Sequence, residues 1–212
     1  MQKTRTDDER RPGRPTREQA AAIADAVLAG AYEVFVAQGY GAAGMDEIAA
    51  HVGVSKLTIY RRFPSKEALL VAVVNYRIAR MVGEIDASAP GFECSIDALR
   101  HTIKTLFDSS VTPDLVCFST LLLCESAHNE SLRARFNEWQ HLARAPVCDQ
   151  IVVAQENGRI IDADPQLLCD MLCDLMDGLP KSLRQGTVNP AEIDPEVFFQ
   201  ERWNFFLRAV RP

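Results

Sequence analysis

Apolar residues recur at spacings of three and four over most of the chain, which is the period of helices with one buried face. From Thr16 to Gln38 the stripe is Ile23, Val27, Ala31, Val34 and Phe35; Thr16 is a candidate cap, Glu18 stands in the first turn, and Gly39 is the expected stop. Two short helices follow. Ile48, Ala49 and Val52 form the inward side of the first, which Gly53 ends because a residue without a Cβ takes the left-handed conformation without strain. Ser55 caps the second, expected over Lys56 to Phe63 with Ile59 and Phe63 inward. The stripe of the long helix is expected to be buried against these two, giving a three-helix unit over residues 16–63. Pro64 breaks the pattern, and Ser65 caps a fourth helix running to about Asp86 with Leu69, Leu70, Val73, Val74 and Ile78 on its apolar side.

Beyond a break at Pro90-Gly91, a fifth helix from about Ser95 to Ser110 carries Ile96, Leu99, Ile103, Leu106 and Phe107. The stretch PDLVCFSTLLLCESA, from Pro113, is apolar nearly all round and is expected as a central helix buried on several sides. A seventh segment spans Glu130 to Asn157 with Leu132, Phe136, Trp139, Val147 and Ile151 inward, and Pro146 is expected to kink or divide it. Residues 165–185 form an eighth helix, bent near Gly178 and Pro180, and a ninth runs from about Pro195 to Ala209. The ninth has Val197, Phe198, Phe199, Trp203, Phe205, Phe206, Leu207 and Val210 on more than one face, so it needs cover on two sides, most simply from a second subunit. The pattern predicts an all-α protein of about nine helices.

Composition changes little in this picture. At 212 residues, with 47% hydrophobic and 25% charged residues, the chain can bury a sizeable core and is not of disordered composition. No uninterrupted apolar run approaches a membrane span, and the first residues lack a signal-peptide core, so a cytoplasmic protein is expected. The net charge of −6 argues against a nucleic-acid partner until its distribution is considered. Through Lys66 there are 10 Lys and Arg against 8 Asp and Glu; the remainder has 13 against 21. The positive charge is at the amino-terminal end, and nucleic-acid binding needs it only locally.

Chemistry enters with the outward side of the second short helix: Lys56, Leu57, Thr58, Tyr60, Arg61 and Arg62, after the cap Ser55. A DNA major groove admits one helix and is read by Arg, Lys, Ser and Thr donors and by apolar contact with thymine methyls. Two packed helices with a solvated charged face would give the same spacing. Further residues set it apart. Gly39-Tyr40, Asp46-Glu47-Ile48-Ala49, Gly53-Val54-Ser55-Lys56, Thr58-Ile59-Tyr60, Phe63-Pro64-Ser65-Lys66-Glu67 and Leu69-Leu70, in that order, resemble the amino-terminal domain of TetR-type (tetracycline-repressor-like) transcriptional regulators. The resemblance covers about residues 20 to 75. It implies a helix-turn-helix over about 44–63 and a DNA-binding domain over 16–66, with a ligand-binding and dimerisation domain over 67–212. It further implies that Lys56 to Phe63 is the recognition helix, that Tyr60 and Lys66 hold phosphates, and that Arg61 reaches a base. Two positions depart from the family pattern: Ala43 and Gly44 stand where a Thr or Ser is common, and Leu57 where Gly, Pro or Ala is frequent.

The same resemblance implies a ligand-released repressor on a palindromic operator, dimerised through the last two helices, about 165–185 and 195–210. An unidentified small-molecule effector would sit between helices of the body, with Phe107, Phe118, Leu121, Phe136, Trp139 and Met171 as candidate wall residues; the same side chains also serve as plain core. Residues 1–15 read as a flexible basic arm, either a solvated tail or, through Arg10, Arg11 and Arg14, a minor-groove contact. Six cysteines without a signal peptide are expected as reduced thiols. Cys169 and Cys173, one turn apart, give an alternative reading as a redox-sensing regulator, against which no Lys or Arg adjoins them in sequence. Asp170, Asp174 and Asp177 on the same helix read as a solvated acidic stripe. His101, His128 and His141 have no metal-ligand spacing, and no catalytic motif or cofactor loop is present. No cofactor and no metal is therefore expected, and an all-α enzyme is the weaker alternative.

Overall fold

The computed structural model describes residues 16–88 and 95–212. Arg11 and Arg14 of the basic arm and the break at Pro90-Gly91 lie outside the described residues. The described residues form nine α-helices: α1 (Arg17–Ala42), α2 (Met45–Val52), α3 (Lys56–Tyr60), α4 (Lys66–Ser88), α5 (Ser95–Ser110), α6 (Pro113–Ser126), α7 (Glu130–Glu156), α8 (Pro165–Gln185) and α9 (Pro195–Ala209).

Local chemistry explains most of the boundaries. Thr16 and Gln19 form a reciprocal capping box, each side chain accepting from the other's backbone N–H. Gly39, at φ 79°, interrupts α1 before one further turn. Gly44 caps α2 without a side-chain bond, and Gly53 ends it in the left-handed conformation at φ 73°. The Ser55 hydroxyl accepts from the Thr58 N–H at 3.1 Å. The regular part of α3 is shorter than expected, ending at Tyr60 with Arg61 and Arg62 in a turn. Pro64 disfavours helical geometry in the residue before it, so Phe63 leaves the helix while its N–H still reaches the Ile59 carbonyl at 2.8 Å. Pro146, by contrast, does not divide α7, which runs through it.

Two apolar cores result. The first joins Val27, Ala31, Phe35, Ile48, Ile59, Leu70 and Val73 to Phe118, Leu122, Leu132 and Phe136. The first helix is therefore not buried against the motif helices alone, as the pattern suggested; it also packs on α4 and α6. Tyr32 and Phe118 meet edge to face with ring centroids 4.9 Å apart, and the Arg77 guanidinium lies 4.6 Å over the Tyr32 ring. By length and composition α1 could cross a membrane, but its apolarity is accounted for by this double burial. The second core joins Leu99, Ile103 and Phe107 to Val147, Ile151, Leu168, Leu172, Phe199, Trp203 and Phe206. The sixth helix is not buried all round: Leu115, Phe118, Ser119 and Leu122 are buried, whereas Cys117, Leu123 and Cys124 are exposed.

Gly30 fixes how closely α1 approaches α2. A Cβ placed there would lie 2.5 Å from Val52 Cγ2 and 3.2 Å from His51 Cδ2. Val52 is β-branched and has little rotamer freedom in a helix. Gly30→Ala should therefore destabilise the protein by ~1 kcal/mol, an overpacking cost of ~1–3 kcal/mol exceeding the helix-propensity gain of ~1 kcal/mol. Urea unfolding checks this, and a variant as stable as the parent or more so would show that the two helices can move apart.

Candidate nucleic-acid interface and body cavity

Capping at both ends holds α3 so that its outer face stands free. Ser55, Lys56, Leu57, Thr58, Tyr60, Arg61 and Arg62 are all exposed, Leu57 at 69%, while Ile59 is fully buried beneath them. Their free-state partners divide them. Lys56 Nζ donates to Asp46 Oδ2 at 2.7 Å and lies 5.9 Å from the Tyr60 ring centroid. The hydrogen bond to Asp46 raises the Lys56 pKa, so the cation is secure at any ordinary pH. Arg62 folds back, Nη1 donating to the Ala20 carbonyl at 2.7 Å, and pins the end of α3 to α1. Thr58 Oγ1 shares a hydrogen bond with Ser55 Oγ at 2.8 Å. Arg61 has no side-chain partner among the described residues and is left free to reach outward.

Lys66 is placed differently from the face it was grouped with. Its ammonium donates to the carbonyls of Tyr40 at 2.6 Å, Ala43 at 3.0 Å and Gly41 at 3.3 Å, and it lies 4.5 Å from the Tyr40 ring centroid. All three N–H groups are thus spent on the frayed end of α1, and none is left for a phosphate in this conformation. The helix it begins is capped by Ser65, whose Oγ accepts from the Ala68 N–H at 3.0 Å.

In the body, a cavity of about 190 Å³ opens between α4, α5, α6, α7 and α8. Of the candidate wall residues, Phe107, Phe136 and Trp139 line it. Phe118 and Leu121 do not, because Phe118 is spent against Tyr32 and Leu121 packs on the first core. Met171 is 55% exposed on the outer side of α8, a hundred degrees or more in phase from Leu172 and Met176, which face inward. Sequence reasoning missed the polar wall, made by Gln140 and Arg144 of α7 and by Cys173, Asp177 and Arg184 of α8. Trp139 Nε1 is buried without a hydrogen-bond partner. The aspartates of α8 are exposed, as the stripe suggested, but each is also paired: Arg144 with Asp170 at 3.1 Å and Asp174 at 3.4 Å, and Arg184 with Asp177 at 2.9 Å. Their spacing of three and four was the available signal, but the arginine opposite two of them comes from another helix.

Arg144 also answers the missing-cation objection to the cysteine pair, standing beside it in space though not in sequence. The pair is nonetheless poorly placed for a disulfide. One helical turn separates the Cβ atoms by about 5–6 Å, against about 3.5–4.5 Å in the bonded form. Among the described residues no group of His, Cys, Asp and Glu could hold a metal ion.

A capped helix-turn-helix with a free outer face, seated on an all-helical body with a cavity, is the architecture of a helix-turn-helix DNA-binding regulator. Residues 27–73 match the family of bacterial regulatory proteins, tetR family. The chain is 39% identical over 82 residues to the transcriptional activator FasR of Mycolicibacterium smegmatis, covering 39% of this chain and 37% of that protein. It is 31% identical over 107 residues to the transcriptional regulator EthR of the same organism, covering 50% and 48%. These matches thus span less than half the length of either relative. In fold the likeness extends over the whole body: the Bacillus subtilis regulator FadR, solved with stearoyl-CoA, superposes with a TM-score of 0.72 over 88% of this chain and 98% of its own, at 18% identity. A Saccharomonospora viridis protein solved with choline gives 0.77 over 91% and 99%, at 20% identity. The amino-terminal segment over residues 27–73 is thus that of the tetR family, and over the rest of the chain the likeness is one of fold.

The position of Lys66 has a direct test. Lys66→Ala should lower stability by ~1–3 kcal/mol through the loss of a cation shared by three carbonyls, while the slope of log affinity against log salt for duplex DNA stays unchanged. A slope reduced by about one with unaltered thermal stability would assign the lysine to a phosphate instead.

Proposed function

We propose that the protein is a homodimeric transcriptional regulator, acting on genomic DNA in the cytoplasm, that reads a palindromic operator with α3 and lets go when its cavity is filled. The observation that carries this reading is the course of α4. Lys66 at its start is fastened to the helix-turn-helix unit, and Met81, fifteen residues on, lines the cavity. At 1.5 Å per residue these points are about 22 Å apart on one rigid element, so a displacement at one end is felt at the other.

On the DNA side, Arg61 is the base-reading donor, Leu57 offers apolar contact to a thymine methyl, and Lys56, Thr58 and Tyr60 serve the backbone. Lys56 would exchange Asp46 for phosphate, a modest cost at an exposed site. Two such helices must lie about 34 Å apart to read adjacent turns, which requires a dimer. The dimer reading is supported by exposed apolar side chains on two adjoining helices: Leu167 (54%) and Met171 (55%) one turn apart on α8, Val197 (53%) and Phe205 (57%) on one side of α9. On the effector side, the cavity is smaller than the ~300–1,000 Å³ usual for drug-sized ligands. It suits a small, largely apolar molecule with one acceptor for the unpaired Trp139 Nε1. Release on ligand binding makes a repressor where the operator overlaps a promoter; the relative FasR is named an activator, so the sign belongs to the promoter and not to the domain.

Arg61→Ala should weaken binding to a cognate duplex, drawn from upstream of the gene, by ~1–3 kcal/mol and relax sequence choice. Fluorescence anisotropy on cognate and random duplexes at one salt concentration decides it, since equal losses on both would make Arg61 a phosphate contact. Met171→Glu combined with Phe205→Glu should give a folded monomer in sedimentation equilibrium and weaken operator binding at least a hundredfold; a dimer of undiminished affinity would place the interface elsewhere.

A further inference from the structure

Three thiols from two helices lie together at the polar end of the cavity. Cys169 is fully buried and donates its S–H to the Arg144 carbonyl, 3.7 Å away; Cys173 lies one turn further along α8. Cys148 of α7 lies against Cys169 from the other side, its own Sγ 3.9 Å from Gln166 Oε1. Cys173 alone of the three lines the cavity, together with the Arg144 side chain. We propose that Cys173 is a nucleophile in the cavity wall that captures α,β-unsaturated carbonyl compounds, so that the effector is retained through a thioether bond. The proposal rests on the cavity being the effector site.

The charges facing the sulfur favour its ionised form. The neighbouring Cys169 thiol lowers the Cys173 pKa most; burial opposes this, the Arg144 guanidinium lowers it further, and Asp170 and Asp174 raise it. The two aspartates are themselves paired with Arg144, which blunts their effect. The Cys169 thiol moves the other way, raised by the neighbouring Cys173 and by burial. In the reaction the Cys173 thiolate adds to the β-carbon, forming the C–S bond. The carbon–carbon π electrons pass to the carbonyl as an enolate, whose oxygen can take a hydrogen bond from Arg144. A proton from water then goes to the α-carbon. No oxidant and no leaving group is needed. The strained disulfide of the alternative is avoided, and the apolar walls at Phe107, Phe136 and Trp139 hold the body of the electrophile.

The probe is N-ethylmaleimide on the full-length protein carrying Cys94→Ser, Cys117→Ser and Cys124→Ser, with N-acetylcysteine as an internal reference thiol and peptide mass mapping of the adducts. Between pH 8.5 and pH 6.0 the rate at Cys173 relative to the reference should rise at least tenfold, because a thiol of lowered pKa loses less of its thiolate over that range than an ordinary one. Cys169→Ala should abolish that rise and Cys169→Ser, which retains a donor, should keep it. One equivalent of adduct at Cys173 should weaken operator binding at least tenfold, with Cys173→Ser resistant. A ratio that does not change with pH, a Cys169→Ala variant that behaves as the parent, or a Cys173 adduct that leaves DNA affinity intact would each overturn the proposal. Should the untreated protein bind no duplex, the regulatory function fails instead, and the ratio still decides the thiol chemistry.

Discussion

The Tyr32 ring is where three helices meet. It belongs to α1; Phe118 of α6 meets it edge to face, and the guanidinium of Arg77, from α4, covers its face. Arg77 Nε is buried without a hydrogen-bond partner, and the aromatic face is what the guanidinium meets on that side. The phenol is correspondingly hard to ionise, chiefly because it is buried. Removing any one member leaves either a buried cation or a void in the first core. Because α1 carries the motif helices and α4 leads to the cavity, this contact ties the orientation of the DNA-reading unit to the position of α6.

The consequence is visible in how the apolar residues are shared. Leu115, Phe118, Leu132 and Phe136 come from the body yet pack in the same core as Ile48 and Ile59 of the motif. A DNA-binding unit with an entirely separate core could rotate on its linker without disturbing the rest. Here it cannot, since close-packed interiors transmit displacement and do not absorb it. Gly30, which lets α1 and α2 approach, belongs to the same design: a loose first layer would dissipate motion before it reached α3.

Much of this was legible in the sequence, for reasons that differ by residue. Helix ends written in local chemistry were readable: Thr16, Gly53 and Ser55 act within three or four residues of themselves, and each does in the structure what its type dictates. The inward face of α8 was readable from period alone. What was not readable depends on contacts between distant segments. The role of Lys66 is decided by carbonyls 23 to 26 residues away. The absence of Phe118 from the cavity wall is decided by Tyr32, and the ionisation of the cysteine pair by an arginine of the preceding helix. Met171 failed for a nearer reason, since a long apolar helix has two apolar sides and period does not say which one meets a cavity.

The cavity lies at the seam between the two cores. Its walls take Leu115, Phe136 and Trp139 from the first and Ile103, Phe107 and Met176 from the second. An occupant therefore wedges between two close-packed bodies, and the easiest response is a relative shift of the cores, not compression of either. The first core contains the buried side of α3 and of α4, so such a shift reaches α3. The seam is also where the paired charges lie, Arg144 with Asp170 and Asp174, and Arg184 with Asp177. These pairs hold the polar end together. A ligand that competes for Arg144 both fills the apolar gap and frees carboxylates on α8, which repel one another once the shared cation turns away. Filling and loosening thus act in the same direction, and a small molecule with little binding surface can still shift the balance between two arrangements of the body.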